Sequence, residues 1–100
     1  MKTETFLQLD KTIHERGRMG IMSLLAASPD LSFTEIKKAL EMTDGNLSVH
    51  IRTLQQAGYV SVSKSFLNNR PLTTCTMTAN GRKAFRQYIK MLGQIVRDNQ

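Results

Sequence analysis

The sequence predicts a mainly α-helical fold of the α+β class that contains one small β-hairpin. Three observations lead to this prediction. Apolar residues recur at helical spacing before Gly58, alternate with polar residues between Val60 and Met77, and return to helical spacing after Thr78. The chain has 100 residues, of which 40% are hydrophobic and 22% charged, as in globular proteins. No repeat or linker divides it, so we expect a single domain over residues 1–100.

The first segment, residues 3–12, has a weak helical pattern. Its larger apolar side chains recur at a spacing that places them on one helix face: Phe6, Leu9 and Ile13. The sequence HERG at residues 14–17 interrupts this spacing, and we interpret it as a tight bend before a second helix.

The second helix carries a dense apolar stripe over residues 19–27. It is expected to end before Pro29, because a proline disfavours the helical conformation of the residue that precedes it. A capping-box pattern follows, in which the side chains of Ser32 and Glu35 each accept from the other's free backbone N–H. Helical spacing then predicts a short helix over residues 33–40.

A three-residue turn, residues 41–43, separates this short helix from the next one. Thr43 is well suited to cap a helix over residues 44–57, which ends where Gly58 supplies a C-terminal glycine. The buried stripe of this helix is spaced i, i+4, i+7: Leu47, Ile51 and Leu54. Two helices joined by such a turn form a helix-turn-helix, here over about residues 33–57.

A β-hairpin is predicted directly after the helix-turn-helix. Residues 60–63 alternate Val with Ser, and residues 73–78 (TTCTMT) alternate again with β-branched residues, so we expect a hairpin over about residues 59–78. The sequence LNNRP between the two runs holds turn residues and is expected to project Arg70. A hairpin in this position is a wing, and a last amphipathic helix follows over about residues 79–97.

Charge is distributed unevenly along the chain. The first 43 residues hold six acidic and six basic residues, whereas residues 44–100 hold eight basic residues against Asp44 and Asp98. The second part therefore carries the whole formal net charge of +6. A polyanion is the natural partner for this asymmetry, and a solvated basic face is the alternative.

Several functional classes find no support in the residues. Cys75 is the single cysteine, and His14 and His50 are the only histidines, so we expect neither a metal site nor a cofactor. No nucleophile–base pair, carboxylate pair or phosphate loop can be assembled, so we do not expect an enzyme. No apolar run reaches the ~20 residues of a membrane span, and the first ten residues lack the apolar core of a signal peptide. We therefore expect a cytoplasmic protein without a membrane partner.

The start of the helix over residues 44–57 predicts contact with double-stranded DNA. In a helix-turn-helix the second helix enters the major groove with its N-terminal residues against the base edges. Gly45 costs about 1 kcal/mol of helix propensity relative to Ala, which is reasonable where the backbone must approach DNA closely. The candidate DNA-binding residues on this helix and the wing are Asp44, Gly45, Asn46, Ser48, Val49, Arg52, Lys64, Asn69 and Arg70.

Individual side chains in this region allow more than one interpretation. Arg52 is suited to a guanine edge or a phosphate, and Val49 to a thymine methyl group or simply to a tolerated surface position. Arg70 is suited to the minor groove or to a solvated turn. We interpret His50 as a packed, hydrogen-bonded histidine and Cys75 as a small core residue, rather than as a DNA contact and a redox sensor.

The terminal helices carry more apolar surface than one small core needs. Pairing across a two-fold axis would bury this surface and would suit DNA with two half-sites; packing within one chain is the alternative. The candidate dimerisation residues are Phe6, Leu9, Ile13, Phe85, Tyr88, Ile89, Leu92, Ile95 and Val96.

Three stretches together resemble a known family: IHERGRMGIMSLL, FTEIKKALEMTDGNLSVHIRTLQQAGYV and SKSFLNNRPLTTCTMTANGRKAF. They look like the compact winged helix-turn-helix regulators related to the MarR and ArsR families, over roughly residues 10–90. The resemblance implies a small homodimeric transcription factor whose terminal helices form the dimer, with a recognition helix at residues 44–57 and a wing at residues 60–78. The cysteine-containing pair of the ArsR-type metal sensors is absent, and the chain is shorter than MarR-type regulators with a ligand pocket. The resemblance therefore assigns neither metal sensing nor a small-molecule effector.

Taken together, the residues predict a dimeric winged helix-turn-helix regulator that binds promoter DNA and acts as a repressor. Repression needs only occupancy of the promoter, and no separate activation domain is visible in the sequence. The alternative is a winged helix that contacts another protein within a larger complex. That alternative predicts little affinity for DNA.

Overall fold

The computed structural model describes residues 3–100, which form five helices and three strands. In chain order the elements are α1 (Thr3–Leu7), α2 (Arg16–Ala27), β1 (Asp30–Ser32), α3 (Phe33–Leu40), α4 (Asp44–Gln56), β2 (Val60–Leu67), β3 (Arg70–Met77) and α5 (Ala79–Asp98). The predicted α+β class with a winged helix-turn-helix is confirmed. Met1 and Lys2, which belong to the single domain expected over residues 1–100, lie outside the described residues.

The two helices of the helix-turn-helix begin at the residues that local capping predicts. The backbone N–H of Glu35 donates to Ser32 Oγ over 3.0 Å, and the N–H of Ser32 donates to Glu35 Oε1 over 2.9 Å. Thr43 Oγ1 accepts from the N–H of Asn46 over 3.1 Å at the start of α4. Between the helices, Glu41 adopts a left-handed conformation with φ of 53° and ends α3. The capping box and the bounds of α3 are thus confirmed.

The core lies where α2 contacts α3, α4, α5 and β3. Ile21, Met22 and Leu25 of α2 are completely buried at its centre. The other buried apolar residues come from the elements around it: Leu9, Ile13, Ile36, Leu47, Ile51, Leu54, Val60, Cys75, Met77, Phe85 and Tyr88. Because α4 buries the predicted stripe here, its opposite face is turned outward.

The N-terminal segment differs from the prediction. The helix expected over residues 3–12 ends at Leu7, and Asp10 explains why. Its Oδ1 accepts from the backbone N–H groups of Thr12 and Ile13 over 2.8 and 3.0 Å, which gives the backbone an alternative to helical hydrogen bonds. The bend expected at residues 14–17 is shorter as well, since Glu15 caps α2 by accepting from the N–H of Arg18 over 2.8 Å.

The sheet has one strand more than the predicted hairpin. Residues 30–32 form β1, which pairs antiparallel with β3, so that the strand order is β1-β3-β2. Thr76 Oγ1 donates to Asp30 Oδ1 over 2.7 Å across this edge. Three residues are too few to show the alternation of a strand, which is why β1 was not predicted from the sequence.

The wing lies where it was expected, but its strands are longer and its loop is shorter. Only Asn68 and Asn69 form the turn, both with positive φ values of 52° and 65°. Two central residues in this conformation match the twist of the flanking strands, and asparagine tolerates it better than most side chains. Arg70 is consequently the first residue of β3, opposite Leu67, and does not lie in the loop.

Candidate nucleic-acid interface

The outer face of α4 is turned away from the core. Gly45, Val49 and Arg52 are exposed along it, Ser48 is half-buried at its edge, and Asp44 and Asn46 are exposed at the start of the helix. Arg52 forms no ion pair within residues 3–100, so its guanidinium is available in the middle of this face. The structure therefore brings together all six candidate DNA-binding residues that the sequence placed on this helix.

The first turn of α4 is accessible to a large ligand. A Cβ atom built on Gly45 would meet no heavy atom of the described chain within 4 Å beyond its neighbours and its own helix backbone, so this residue lies open to solvent. Thr43 already satisfies the N–H of Asn46. The remaining N–H groups of a first helical turn lack intrahelical acceptors and are suited to a phosphate oxygen.

Asp44 has a partner that sequence analysis did not single out. Lys37 Nζ, from the last turn of α3, lies 2.8 Å from Asp44 Oδ1. The two residues are seven positions apart and meet because the turn at Glu41 folds α3 back against the start of α4. The sequence signal was weak, since a lysine near the end of a helix is common.

His50 faces α2 and not the outer surface of α4. Its Nδ1 lies 3.2 Å from Arg18 Nη1 and 3.7 Å from Glu15 Oε1. Close packing is possible because Gly17 has no side chain; a Cβ there would lie 2.9 Å from the His50 ring. The interpretation of His50 as a packed, hydrogen-bonded residue is confirmed. This cluster fixes α4 against the N-terminus of α2.

Glu15 is held in its charged form by the same cluster. Its burial raises the pKa, but hydrogen bonds from the backbone N–H groups of Arg18 and Gly17 lower it, as do the charges of His50 and Arg18. The lowering contributions prevail, and the pKa of Glu15 lies below its ordinary value. A charged Glu15 both caps α2 and lies beside the side chains of Arg18 and His50.

The wing presents its candidate residues to solvent. Lys64, Asn69 and Arg70 are exposed, and neither basic residue forms an ion pair within the described part of the chain. Residues 59–78 contain no Asp or Glu. Beside them lie two residues that the sequence did not single out, Phe66 and Leu67, which are 76% and 60% exposed at the tip.

Cys75 is completely buried beneath the wing, as expected of a small core residue. Desolvation raises the pKa of its thiol. Within residues 3–100, no three His, Cys, Asp or Glu side chains gather closely enough to hold a metal ion. No helix in that range has the length and apolar character needed to cross a membrane.

The nine candidate dimerisation residues fall into three groups by exposure, and the first group corrects the sequence-based expectation. Four of them are buried in the chain's own core: Leu9, Ile13, Phe85 and Tyr88. They hold α5 in place, and Tyr88 Oη lies 2.8 Å from His14 Nδ1. Leu92 and Ile95 are half-buried, whereas Phe6, Ile89 and Val96 are about half exposed, at 50%, 46% and 52%. The apolar spacing was recognised correctly, but it does not distinguish a residue covered by its own chain from one covered by a partner.

A helix-turn-helix followed by a β-hairpin wing, with an exposed second helix, defines a winged helix. The family model for the winged helix DNA-binding domain matches residues 18–96, and the chain belongs to this family. The chain is 36% identical over 78 residues to the uncharacterized protein MJ0432 of Methanocaldococcus jannaschii, which covers 78% of this chain and 85% of that protein.

Two solved structures are similar to the chain over most of its length. A transcriptional regulator homologue from Pyrococcus horikoshii OT3 is similar with a TM-score of 0.87 and 28% identity, over 98% of this chain and 95% of that one. A MarR-family transcriptional regulator from Silicibacter pomeroyi shares the fold with a TM-score of 0.63 and 21% identity, over 86% of this chain and 57% of that one. The protein is thus a DNA-binding winged helix protein that shares its fold with transcriptional regulators, those of the MarR family among them.

Proposed function

We propose that the protein is a sequence-specific transcriptional repressor that binds double-stranded promoter DNA as a homodimer. The observation that carries the proposal is the outer face of α4. It is exposed, its side chains are short, and at its centre lies Arg52, which forms no ion pair with any described residue. Beside it stands a wing without any acidic residue. A helix that reads bases in the major groove needs such an outer face, and a wing that contacts the DNA backbone needs such a charge.

Each side chain on α4 has a role that its chemistry supports. Arg52 donates to a guanine edge, where a bidentate contact discriminates by roughly 1–3 kcal/mol. Val49 supplies a methyl surface for thymine, and Asn46 and Ser48 donate to or accept from bases and phosphates. Lys64, Asn69 and Arg70 extend the contact to the phosphates and the minor groove along the wing.

The homodimer is supported by the apolar side chains that α1 and α5 leave exposed. Ile89 and Val96 are seven residues apart and lie on the same flank of α5, with Phe6 exposed on α1, which contacts α5. A two-fold axis through this surface would cover all three and present two copies of α4. Two-fold proteins bind half-sites centred about 34–36 Å apart, which matches one turn of DNA.

Sedimentation of the pure protein tests the dimer. We expect Ile89→Glu to yield monomers, because it places a charge in the proposed contact. Lys83→Glu is the matched control, since Lys83 is exposed on the same helix and lies about 120° around its axis from Ile89. Monomeric wild-type protein, or equal behaviour of the two variants, would remove the dimer from the proposal.

Binding to DNA tests the function itself. The protein is titrated with the DNA upstream of its own gene and with unrelated DNA over a series of salt concentrations. We expect the upstream DNA to bind at least roughly 10³-fold more tightly than unrelated DNA at physiological salt. Equal and steeply salt-dependent binding to both would reflect only the net charge of +6. No binding to either would favour a winged helix that contacts another protein.

Transcription in vitro tests the direction of control. Occupancy of a promoter excludes polymerase without any further contact, so we expect added protein to lower the transcript yield from the bound promoter. An increase in yield would identify an activator. The chain's DNA-binding role would then stand, and repression would not.

A further inference from the structure

The tip of the wing carries large apolar side chains that the described chain leaves uncovered. Side chains alternate between the two faces of the hairpin, and the register places Phe66 opposite Pro71 on the face that also holds Val62 and Cys75. Burial on this face ends near Cys75, and Phe66 is 76% exposed beyond that point. The core therefore does not account for Phe66.

The opposite face of the tip is also apolar. Leu67 is 60% exposed and pairs with Arg70, and the next pair is Ser65 with Leu72. The tip thus has Phe66 on one face, Leu67 on the other and a guanidinium at its end. Both strands run to the two-residue turn in continuous register, so this arrangement is held by the hairpin and not by a flexible loop.

Charge and position indicate which partner covers these side chains. Residues 59–78 contain Lys64 and Arg70 and no acidic residue, so the wing attracts a polyanion. The hairpin follows α4 after a turn of three residues, and α4 contacts β2 directly. When α4 lies in the major groove, the wing continues the same interface along the duplex.

The size of the tip decides how it meets the minor groove. A single arginine side chain fits a groove about 6 Å wide. Two strands lie about 4.8 Å apart before their side chains are counted, so a tip with Phe66 and Leu67 exceeds this width. The groove must open, and apolar side chains such as Phe and Leu then enter between base steps and kink the duplex.

We propose that Phe66 and Leu67 form an apolar wedge that enters the minor groove beside Arg70 and kinks the DNA. The proposal rests on the proposed function and adds the feature of the DNA that the wing recognises. The wing selects flexible pyrimidine–purine steps, such as TA and CA/TG, at the flank of each half-site. Specificity at these positions arises from the energy of deformation and not from base contacts.

The experiment measures DNA bending and step preference together. Wild-type protein first selects ligands from a pool of randomised duplexes, and energy transfer between dyes at the duplex ends then reports the bend. The Phe66→Ala/Leu67→Ala double variant is compared with Ser65→Ala, an exposed neighbour on the same strand. Circular dichroism and sedimentation check whether the fold and the assembly of each variant are unchanged, as we expect for exposed positions.

We expect wild-type protein and Ser65→Ala to bend the duplex by at least roughly 20° and the double variant to leave it nearly straight. We expect wild-type protein to bind a duplex with a TA step at the flank roughly tenfold more tightly than one with a stiff step there. In the double variant, the two affinities should be nearly equal. Discrimination at the bases under α4 should persist.

Two results would overturn the wedge while leaving the proposed function intact. One is an unchanged bend and step preference in the double variant. The other is loss of the dimer in the double variant, which would place the tip at a contact between copies. Failure of wild-type protein to select any duplex would instead remove the proposed function, and the wedge with it.

Discussion

Lys37 Nζ lies 2.8 Å from Asp44 Oδ1, so the last turn of α3 supplies a cation to the first residue of α4. Asp44 is well placed for the helix dipole but unfavourably placed for a DNA phosphate. Lys37 offsets its charge at the surface where the phosphates approach. Since both side chains are substantially exposed, at 38% and 74%, the pair adds little to the stability of the fold. Its effect is expected in DNA binding.

Removing Lys37 should therefore weaken DNA binding more than folding. We expect Lys37→Ala to lower affinity by roughly an order of magnitude at low salt, because it removes one positive charge and uncovers Asp44. Adding Asp44→Asn to this variant should restore most of the loss. Fluorescence anisotropy at low and high salt measures both effects. No recovery in the double variant would show that Asp44 makes a favourable contact with DNA.

Gly45→Ala should separate stability from function. Its new Cβ meets no other element of the described chain within 4 Å, and alanine is the better helix former, so we expect the free energy of unfolding to rise by about 0.5–1 kcal/mol. DNA affinity should fall, because the methyl group stands where the backbone approaches the duplex. Urea unfolding and DNA titration of the same preparation give both quantities. Unchanged affinity would mean that the first turn of α4 stays away from the DNA.

Tyr59 should make stability depend on pH in the alkaline range. Its hydroxyl donates to Asp10 Oδ2 over 2.5 Å; this hydrogen bond, then burial and the Asp10 charge, raises the pKa of Tyr59 to about 12. Because the pKa is raised in the folded state, the protonated Tyr59 stabilises the fold fully below about pH 10, where an unfolded tyrosine begins to lose its proton. This stabilisation is lost as the pH rises through about 12. The bond joins the N-terminal turn to the root of the wing.

Tyr59→Phe isolates this contribution. At pH 7 we expect a loss of about 1 kcal/mol in the free energy of unfolding, since one hydrogen bond is removed. The difference between wild type and variant should shrink between pH 10 and 12. Urea unfolding of both proteins at a series of pH values checks this, and a difference that stays constant with pH would argue against the Asp10 contact.

Cys75 should be unreactive in the native state. It is completely buried and desolvation raises the pKa of its thiol, so both access and the thiolate form are disfavoured. We expect alkylation by iodoacetamide to be slow in buffer and rapid in denaturing urea. Rapid native modification would contradict this burial and would reopen a redox role for the residue.

Features that depend on neighbouring residues in the chain could be predicted from the sequence. The capping pair Ser32 and Glu35, the cap at Thr43 and the left-handed Gly58 are set by a few adjacent residues, and they defined the helix-turn-helix correctly. The change of spacing after Gly58 defined the wing for the same reason. The length of its loop was not predicted correctly, since the sequence LNNRP suggested a longer loop than the two-residue turn at Asn68 and Asn69.

Features that depend on distant contacts were not predictable. Asp10 ends α1 through a local turn, but its bond to Tyr59 joins residues 49 positions apart. Apolar spacing identified Leu9 and Ile13 without showing that their own chain covers them. The pairing of Lys37 with Asp44 depends on the direction of the turn between α3 and α4, which no single residue type specifies.

The central claim is that the outer face of α4 reads base sequence, and Arg52 tests it most directly. Arg52→Ala is compared with Lys90→Ala, which removes the same charge from an exposed position on α5. Each is titrated with the selected duplex and with duplexes that carry single base-pair changes. We expect Arg52→Ala to lose about 1–3 kcal/mol of discrimination at one base pair of each half-site, and Lys90→Ala to keep the wild-type pattern. An Arg52→Ala variant that discriminates as the wild type does would contradict the account.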